Sequence, residues 1–166
     1  MFHIVLVEPE IPPNTGNIAR LCAATGSTLH LIEPLGFSLD EKQLKRAGMD
    51  YWHLVNWRTW PDWPAFAASV TDSGARLWLL TTKTNRPYTT AEFHDGDYLV
   101  FGRETKGLPE SLLAADHDRC LTIPMPNPAA RSLNLATSAG IVLYEALRQT
   151  NSPSRKGNRA FSTHEI

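Results

Sequence analysis

The amino-acid sequence predicts an α/β protein with a mostly parallel sheet and helices on both faces. Three observations carry that prediction. Short, β-rich apolar runs alternate with segments of helical spacing along the chain, as strand–helix–strand units do. Two of the runs, Ile4-Val5-Leu6-Val7 and Tyr98-Leu99-Val100-Phe101, are apolar nearly without interruption, which fits strands covered on both faces. No internal repeat or linker divides the sequence, so residues 1–150 read as a single domain.

Strands are expected at residues 3–8, 28–33, 53–57, 76–81, 98–102 and 120–124. The first helix should open at Asn14, a good N-cap, continue through Ile18, Leu21, Cys22 and Thr25, and close at Gly26. Residues 40–47 read as a short polar helix with Lys42, Lys45 and Arg46 on one side. Residues 61–70 place Trp63, Phe66, Ala67 and Val70 on one stripe. The last helix, about residues 134–149, carries Leu135, Ala139, Val142, Leu143, Ala146 and Leu147 as an apolar face. Residues 151–166 turn to Ser, Pro, Gly, Asn and charge, the composition of a flexible tail.

Composition excludes several classes. A chain of 166 residues, 42% hydrophobic and 20% charged, is an ordinary globular protein. No apolar run reaches the ~18 residues a membrane span requires. The start, Met1-Phe2-His3-Ile4-Val5-Leu6-Val7, lacks a basic region and cleavage site, so it reads as a first strand rather than a signal peptide. Cys22 and Cys120 stand far apart with no zinc-type spacing, and read as buried, reduced thiols of a cytoplasmic protein. No metal is expected. The net charge of −1 argues against a protein that coats nucleic acid electrostatically. It is unevenly spread: Arg148, Arg155, Lys156 and Arg159 against Glu165 make the last nineteen residues +3, leaving −4 elsewhere. Such a tail can touch phosphates or simply solubilise the chain.

Three segments look unlike packing material. The first runs from Pro9 through Asn14 to Arg20, between a strand and a helix, where α/β sheets bind ligands. It is neither a dinucleotide nor a nucleoside-triphosphate fingerprint. Free N–H groups at the helix start could meet a phosphate, with Arg20 under two turns beyond Asn14; a capped helix with a surface arginine fits as well. The second, Phe101-Gly102-Arg103-Glu104-Thr105-Lys106-Gly107-Leu108-Pro109, ends a buried strand in a glycine. Glycine there lets a flat ligand approach the backbone, but a plain strand–helix turn has the same form. The third, residues 123–135, holds three prolines and then Arg131, Ser132 and Asn134, of which Ser132 or Asn134 can cap the last helix. So stiff a loop could clamp a ligand or only route the chain.

Taken together, NTGNIAR, FGRETKGLP and IPM…RSLNLATSAGIVLYEALRQ resemble the three motifs of the SPOUT methyltransferases. The opening IVLVEPEIPPNTGNIARLCAATG, with LHLIEPLGF and KRAGMDYW, resembles the tRNA (cytidine/uridine-34) 2′-O-methyltransferase family. The likeness runs from Phe2 to Gln149. It implies a parallel sheet closed by a C-terminal trefoil knot, a rare exception to unknotted topology. It further implies S-adenosyl-L-methionine as cofactor, with S-adenosyl-L-homocysteine as product. Cofactor contacts carry over to Leu80, Thr81, Gly102, Glu104, Gly107, Ile123, Ser132 and Leu133. Arg20 carries over as the catalytic residue, and Asn14, Arg131, Asn134 and Tyr144 as candidates on the substrate side. The family also implies a homodimer with the first and last helices across a two-fold axis, and a tRNA substrate bound at its anticodon stem-loop, in particular leucine tRNAs.

One departure stands out: the loop 125–131 is proline-rich and slightly longer than in the family. Without an added RNA-binding domain, phosphate contacts would fall to Lys42, Lys45, Arg46, Arg20 and the tail. The competing readings are the same chemistry on another tRNA position or on ribosomal RNA, and a knotted RNA-binding protein without catalysis. A nicotinamide oxidoreductase lacks its glycine fingerprint.

Overall fold

The computed structural model describes residues 1–39, 52–71 and 74–151. Six strands, β1 (His3–Val7), β2 (Thr28–Ile32), β3 (Asn56–Trp60), β4 (Leu77–Leu80), β5 (Tyr98–Phe101) and β6 (Cys120–Leu121), form one sheet. Its order is β3-β2-β1-β5-β4-β6, and every pair is parallel. Four α-helices complete the described fold: α1 (Pro12–Thr25), α2 (Trp63–Thr71), α3 (Glu110–Ala115) and α4 (Leu135–Asn151). Among the described residues no helix is long and apolar enough to cross a membrane.

Strand alternation divides the buried side chains between two faces. Ile4, Leu6, Leu29, Leu31, Leu99 and Phe101 point to one face, where α1 contributes Ile18, Ala19 and Cys22 and α4 contributes Ala139, Val142, Leu143 and Ala146. Val5, Val7, Leu79 and Val100 point to the other, under Phe66 and Val70 of α2 and Leu112 and Leu113 of α3. This explains the unbroken apolar run of β1: both faces are covered, so every position is inside. Each large side chain so buried contributes about 1.5–3 kcal/mol.

The element boundaries differ from the sequence expectation in physically informative ways. Strand β3 lies at Asn56–Trp60 rather than 53–57, and Trp52–Leu54 is a 3-10 turn. The apolar Leu54-Val55 pair drew the expectation too early. The strand itself stands at the sheet's edge, where Asn56, Arg58 and Thr59 are exposed at no cost. Strand β6 is two residues long, because Thr122 pairs only with Pro87 and the chain then leaves through Pro124 and Pro126, which have no N–H to give. Strand β1 stops at Val7, since Glu8 turns away with φ of 53°. Helix α2 begins at Trp63, with its Ala65 N–H bonded to Asp62 at 2.8 Å. The expected helix at 40–47 and the tail beyond Asn151 lie outside the described residues.

Asn14 is not the N-cap of α1. The helix starts two residues earlier at Pro12, Ile11 occupies the cap position without a side-chain bond, and Asn14 is buried inside the first turn. Two prolines at the start already fix helical φ and lack N–H groups of their own. Asn134 does cap α4: its Oδ1 accepts the N–H of Ala136 at 2.9 Å and of Thr137 at 3.2 Å.

Candidate active site

Strand order reverses between β1 and β5: β2 and β3 extend one way from that seam, β4 and β6 the other. Open α/β sheets bind ligands outside the carboxyl ends of their strands at such a point. A cleft of about 590 Å³ lies there. The loops after β4, β5 and β6 line it, together with Ile11 and Asn14 at the start of α1 and Leu135 and Ser138 at the start of α4.

The loop after β5 is folded tightly on itself. Arg103 and Gly107 exchange both backbone bonds, at 3.2 and 2.8 Å, and Gly107 has φ of 69°. A Cβ on Gly102 would fall 2.1 Å from the carbonyl carbon of Gly107 and 2.2 Å from the Leu108 nitrogen. Gly102 is therefore required by the loop's own closure, a different reason from the ligand approach that its position suggested. Gly107 is required by its left-handed backbone.

A polar clasp joins this loop to the start of α1. One Glu104 oxygen accepts the Glu10 N–H at 2.8 Å; the other accepts the Ile11 N–H at 3.2 Å and Asn14 Nδ2 at 3.0 Å. Glu104 thus supplies, from 90 residues away, the cap that α1 lacks locally, and its negative charge stands at a helix N-terminus. In return, Glu10 accepts the Thr105 N–H at 3.1 Å and hydroxyl at 2.7 Å. Asn14 passes the connection on, because its Oδ1 accepts Asn134 Nδ2 at 2.9 Å. The starts of both helices on this face are thereby tied to one loop.

Four cationic side chains line the cleft: Lys83, Arg103, Lys106 and Arg131. Arg103 is paired with Glu8, and Lys83 with Glu110 at 2.9 Å, which holds the Glu110 carboxyl below its usual range. Lys106 and Arg131 have no carboxylate partner among the described residues. The apolar wall is made by Leu80, Phe101, Ile123, Leu133 and Leu135.

All eight positions read as cofactor contacts, Leu80, Thr81, Gly102, Glu104, Gly107, Ile123, Ser132 and Leu133, line this one cleft, and so do Asn14, Arg131 and Asn134. Arg20 and Tyr144 do not: Arg20 is on the exposed side of α1, and Tyr144 is 59% exposed on α4. Lys42, Lys45 and Arg46 lie outside the described residues. Sequence reasoning passed over Glu10 and Thr105, whose bond spans 95 residues and leaves no mark in local spacing. It also passed over Lys83 and Phe101. The run of charge in the Gly102–Gly107 loop was the one available signal.

Comparison with known proteins places this geometry. The profile of the SpoU rRNA methylase family matches residues 1–144. A tRNA (cytidine(34)-2′-O)-methyltransferase of Methylovorus glucosotrophus is 52% identical over 152 residues, 90% of this chain and 96% of that protein. The enzyme of that name from Escherichia coli is 49% identical over 154 residues, 92% of this chain and 96% of that one. A solved structure described as giving insight into 2-OH methylation of C/U34 on tRNA superposes with a TM-score of 0.83 at 49% identity, covering 90% of this chain and 95% of that chain. This chain belongs to the SpoU methylase family and is a methyltransferase.

Proposed function

We propose that this methyltransferase moves a methyl group from S-adenosyl-L-methionine to the ribose 2′-hydroxyl of the wobble nucleotide, position 34, of tRNA. The observation that carries the reading is the convergence of three separate loops on one cleft beside the start of α1. Relatives about half identical over nine-tenths of the chain, named for cytidine-34 methylation, support the position. A modified uridine at the same nucleotide and leucine tRNAs as the substrate set are the finer part of the proposal.

The cleft suits the cofactor. Its volume is in the range of small-molecule sites. Leu80, Ile123 and Leu133 offer a flat apolar wall for adenine, and Thr81, Gly107 and Ser132 bring polar groups to its edge. When bound, S-adenosyl-L-methionine supplies a methyl already activated on a sulfonium. The chain's task is then orientation, which contributes much of the acceleration in such displacements. Arg20 is a poor base, since a guanidinium does not deprotonate near neutral pH. Its role here is to hold the adjoining phosphate and stabilise the developing alkoxide. Because Arg20 does not line its own chain's cleft, the reading includes a homodimer in which a second copy presents it, with Tyr144 exposed on α4. Arg131 and Asn134, which line the same cleft as Lys106, are assigned to the substrate side. The reading includes the C-terminal trefoil knot that the family resemblance implies, and the return of the chain from β6 at the sheet edge to α4 against α1 supports it.

The test is a methylation assay with purified protein, S-adenosyl-L-methionine and unmethylated leucine tRNA, with nucleosides identified and mapped by mass spectrometry. The expected result is 2′-O-methylcytidine or its uridine counterpart at the anticodon's first nucleotide. Methylation at another position would overturn the substrate assignment. Cofactor binding with no methylation of any tRNA would overturn the activity in favour of a binding protein.

A further inference from the structure

The clasp between Glu10 and the Glu104–Thr105 pair is reciprocal, and neither carboxylate meets a cation among the described residues. Among the described residues, Glu104 is bound by three neutral N–H donors and Glu10 by one N–H and one hydroxyl. An ion pair tolerates slack in direction, whereas five such bonds fix position. Glu10 is braced from a third side as well. Gly36, in the loop after β2, donates its N–H to the Pro9 carbonyl at 2.9 Å, and a Cβ there would come 2.7 Å from the Glu10 Cα. Glu10 itself does not line the cleft, while Ile11, Asn14, Glu104 and Thr105 do. It therefore acts through others.

We propose that Glu10 is a positioning residue for methyl transfer: by holding Thr105 while its own N–H is held by Glu104, it locks the cofactor-side loop to the start of the helix that carries Arg20. Filling the cleft then fixes the orientation of α1, and cofactor and RNA affinities become linked, each raising the other by the same factor. The inference rests on the methyltransferase reading above.

The two carboxylates make opposite predictions for the same chemical change. Both arms from Thr105 end on a single Glu10 oxygen, so a glutamine at position 10 can still accept them with its amide oxygen. Both Glu104 oxygens are occupied by donors, so a glutamine there turns an NH₂ against an N–H. E10Q should keep kcat within about threefold of wild type, while E10A and E104Q should each lose about ten- to a hundredfold, the scale of a misplaced reacting geometry.

The experiment compares wild type, E10Q, E10A and E104Q, each confirmed folded by thermal melting. For each, kcat, KM for tRNA, the Kd for S-adenosyl-L-homocysteine by calorimetry, and the tRNA Kd with and without S-adenosyl-L-homocysteine are measured. The expected result for E10A is a fallen kcat, a cofactor Kd within about threefold of wild type, and a tRNA Kd that no longer responds to S-adenosyl-L-homocysteine. T105V, which removes the hydroxyl arm alone, takes the place of E10A if that variant does not fold, with the same expectation in weaker form. Wild-type kcat in E10A, equal failure of E10Q and E10A, or no cofactor response of tRNA affinity in the wild type would each overturn the proposal. Failure of the underlying methyltransferase reading is separately visible, because the wild type would then bind no S-adenosyl-L-homocysteine and methylate no tRNA.

Discussion

The polar clasp at the cleft and the histidine pair beneath α2 solve the same problem in opposite ways. At the cleft, Glu10 and Glu104 are surrounded by N–H and hydroxyl donors, which suit charged carboxylates. Across the sheet, beneath α2, His3 and His30 are surrounded by rings. His3 stacks on Tyr98 at 4.2 Å, and His30 contacts Phe66 edge-on and Trp60 face-on. Trp60 Nε1–H donates to His30 Nδ1 at 3.1 Å, so that nitrogen must be bare. His30 Nε2–H is then the donor to His3 Nδ1 at 3.0 Å, and both rings are neutral. Burial pushes the His30 pKa down to about 3, with neighbouring His3 and Arg58 lowering it further, and burial lowers His3 as well. The clasp draws on loops distant in sequence and ties together groups that line a cavity. The ring cluster draws on neighbouring strands and faces no cavity of the proposed site. The first should govern activity, the second stability.

The largest effect should come from the residue the clasp is proposed to aim. Arg20→Lys should lower kcat by about a hundredfold or more, since a point charge cannot replace a planar fork at a developing oxyanion; near-full turnover would remove Arg20 from the mechanism. Next is Gly102→Ala. Its methyl would overlap the Gly107 backbone, and overpacking of about 1–3 kcal/mol in a loop that lines the cleft should weaken S-adenosyl-L-homocysteine binding ten- to a hundredfold. Unchanged calorimetric affinity would show that the loop's closure does not shape the site.

The ring cluster should respond to pH instead. His30 binds its proton near 6.5 when unfolded and near 3 when folded. Its contribution is complete above pH 6.5 and is lost as pH falls toward 3, by about 1.4 kcal/mol per unit. Urea unfolding between pH 7.5 and 5 should show that decline, and His30→Gln should flatten it by about one proton while kcat at pH 7.5 stays put. A slope unchanged by the substitution would assign the decline elsewhere. The smallest effect is Asn134→Ala, which removes the α4 cap and the bond to Asn14 and should cost about 1 kcal/mol in chemical unfolding. A loss well above that would make Asn134 part of the clasp's rigid body rather than its far end.

What could be read from the sequence follows the range of the forces involved. β1, β2 and β5 were legible because burial on both faces writes itself into consecutive residues. β3 lies three residues beyond its expected start because an edge strand carries no such mark, and Trp57, Arg58 and Thr59 alternate only weakly. Local spacing makes Asn14 a cap because capping is usually local; its actual partners, Glu104 and Asn134, lie 90 and 120 residues away. The motif resemblance picked out cleft positions that spacing alone left ambiguous, Leu80 and Ile123 above all, since an apolar wall and a plain core look alike in one dimension.

The sheet order has a consequence for how the chain is made. β1 is made before both of its neighbours in the sheet, yet one of the two is β5, with His3 in register with Tyr98. Its other neighbour, β2, is available within 30 residues. During synthesis β1 therefore spends most of its time paired on one side only, with a hydrophobic edge open where β5 will later insert between it and β4. Closing a contact that distant is slow compared with local pairing. Translation speed through residues 33–97 thus sets how long that edge is exposed to other nascent chains.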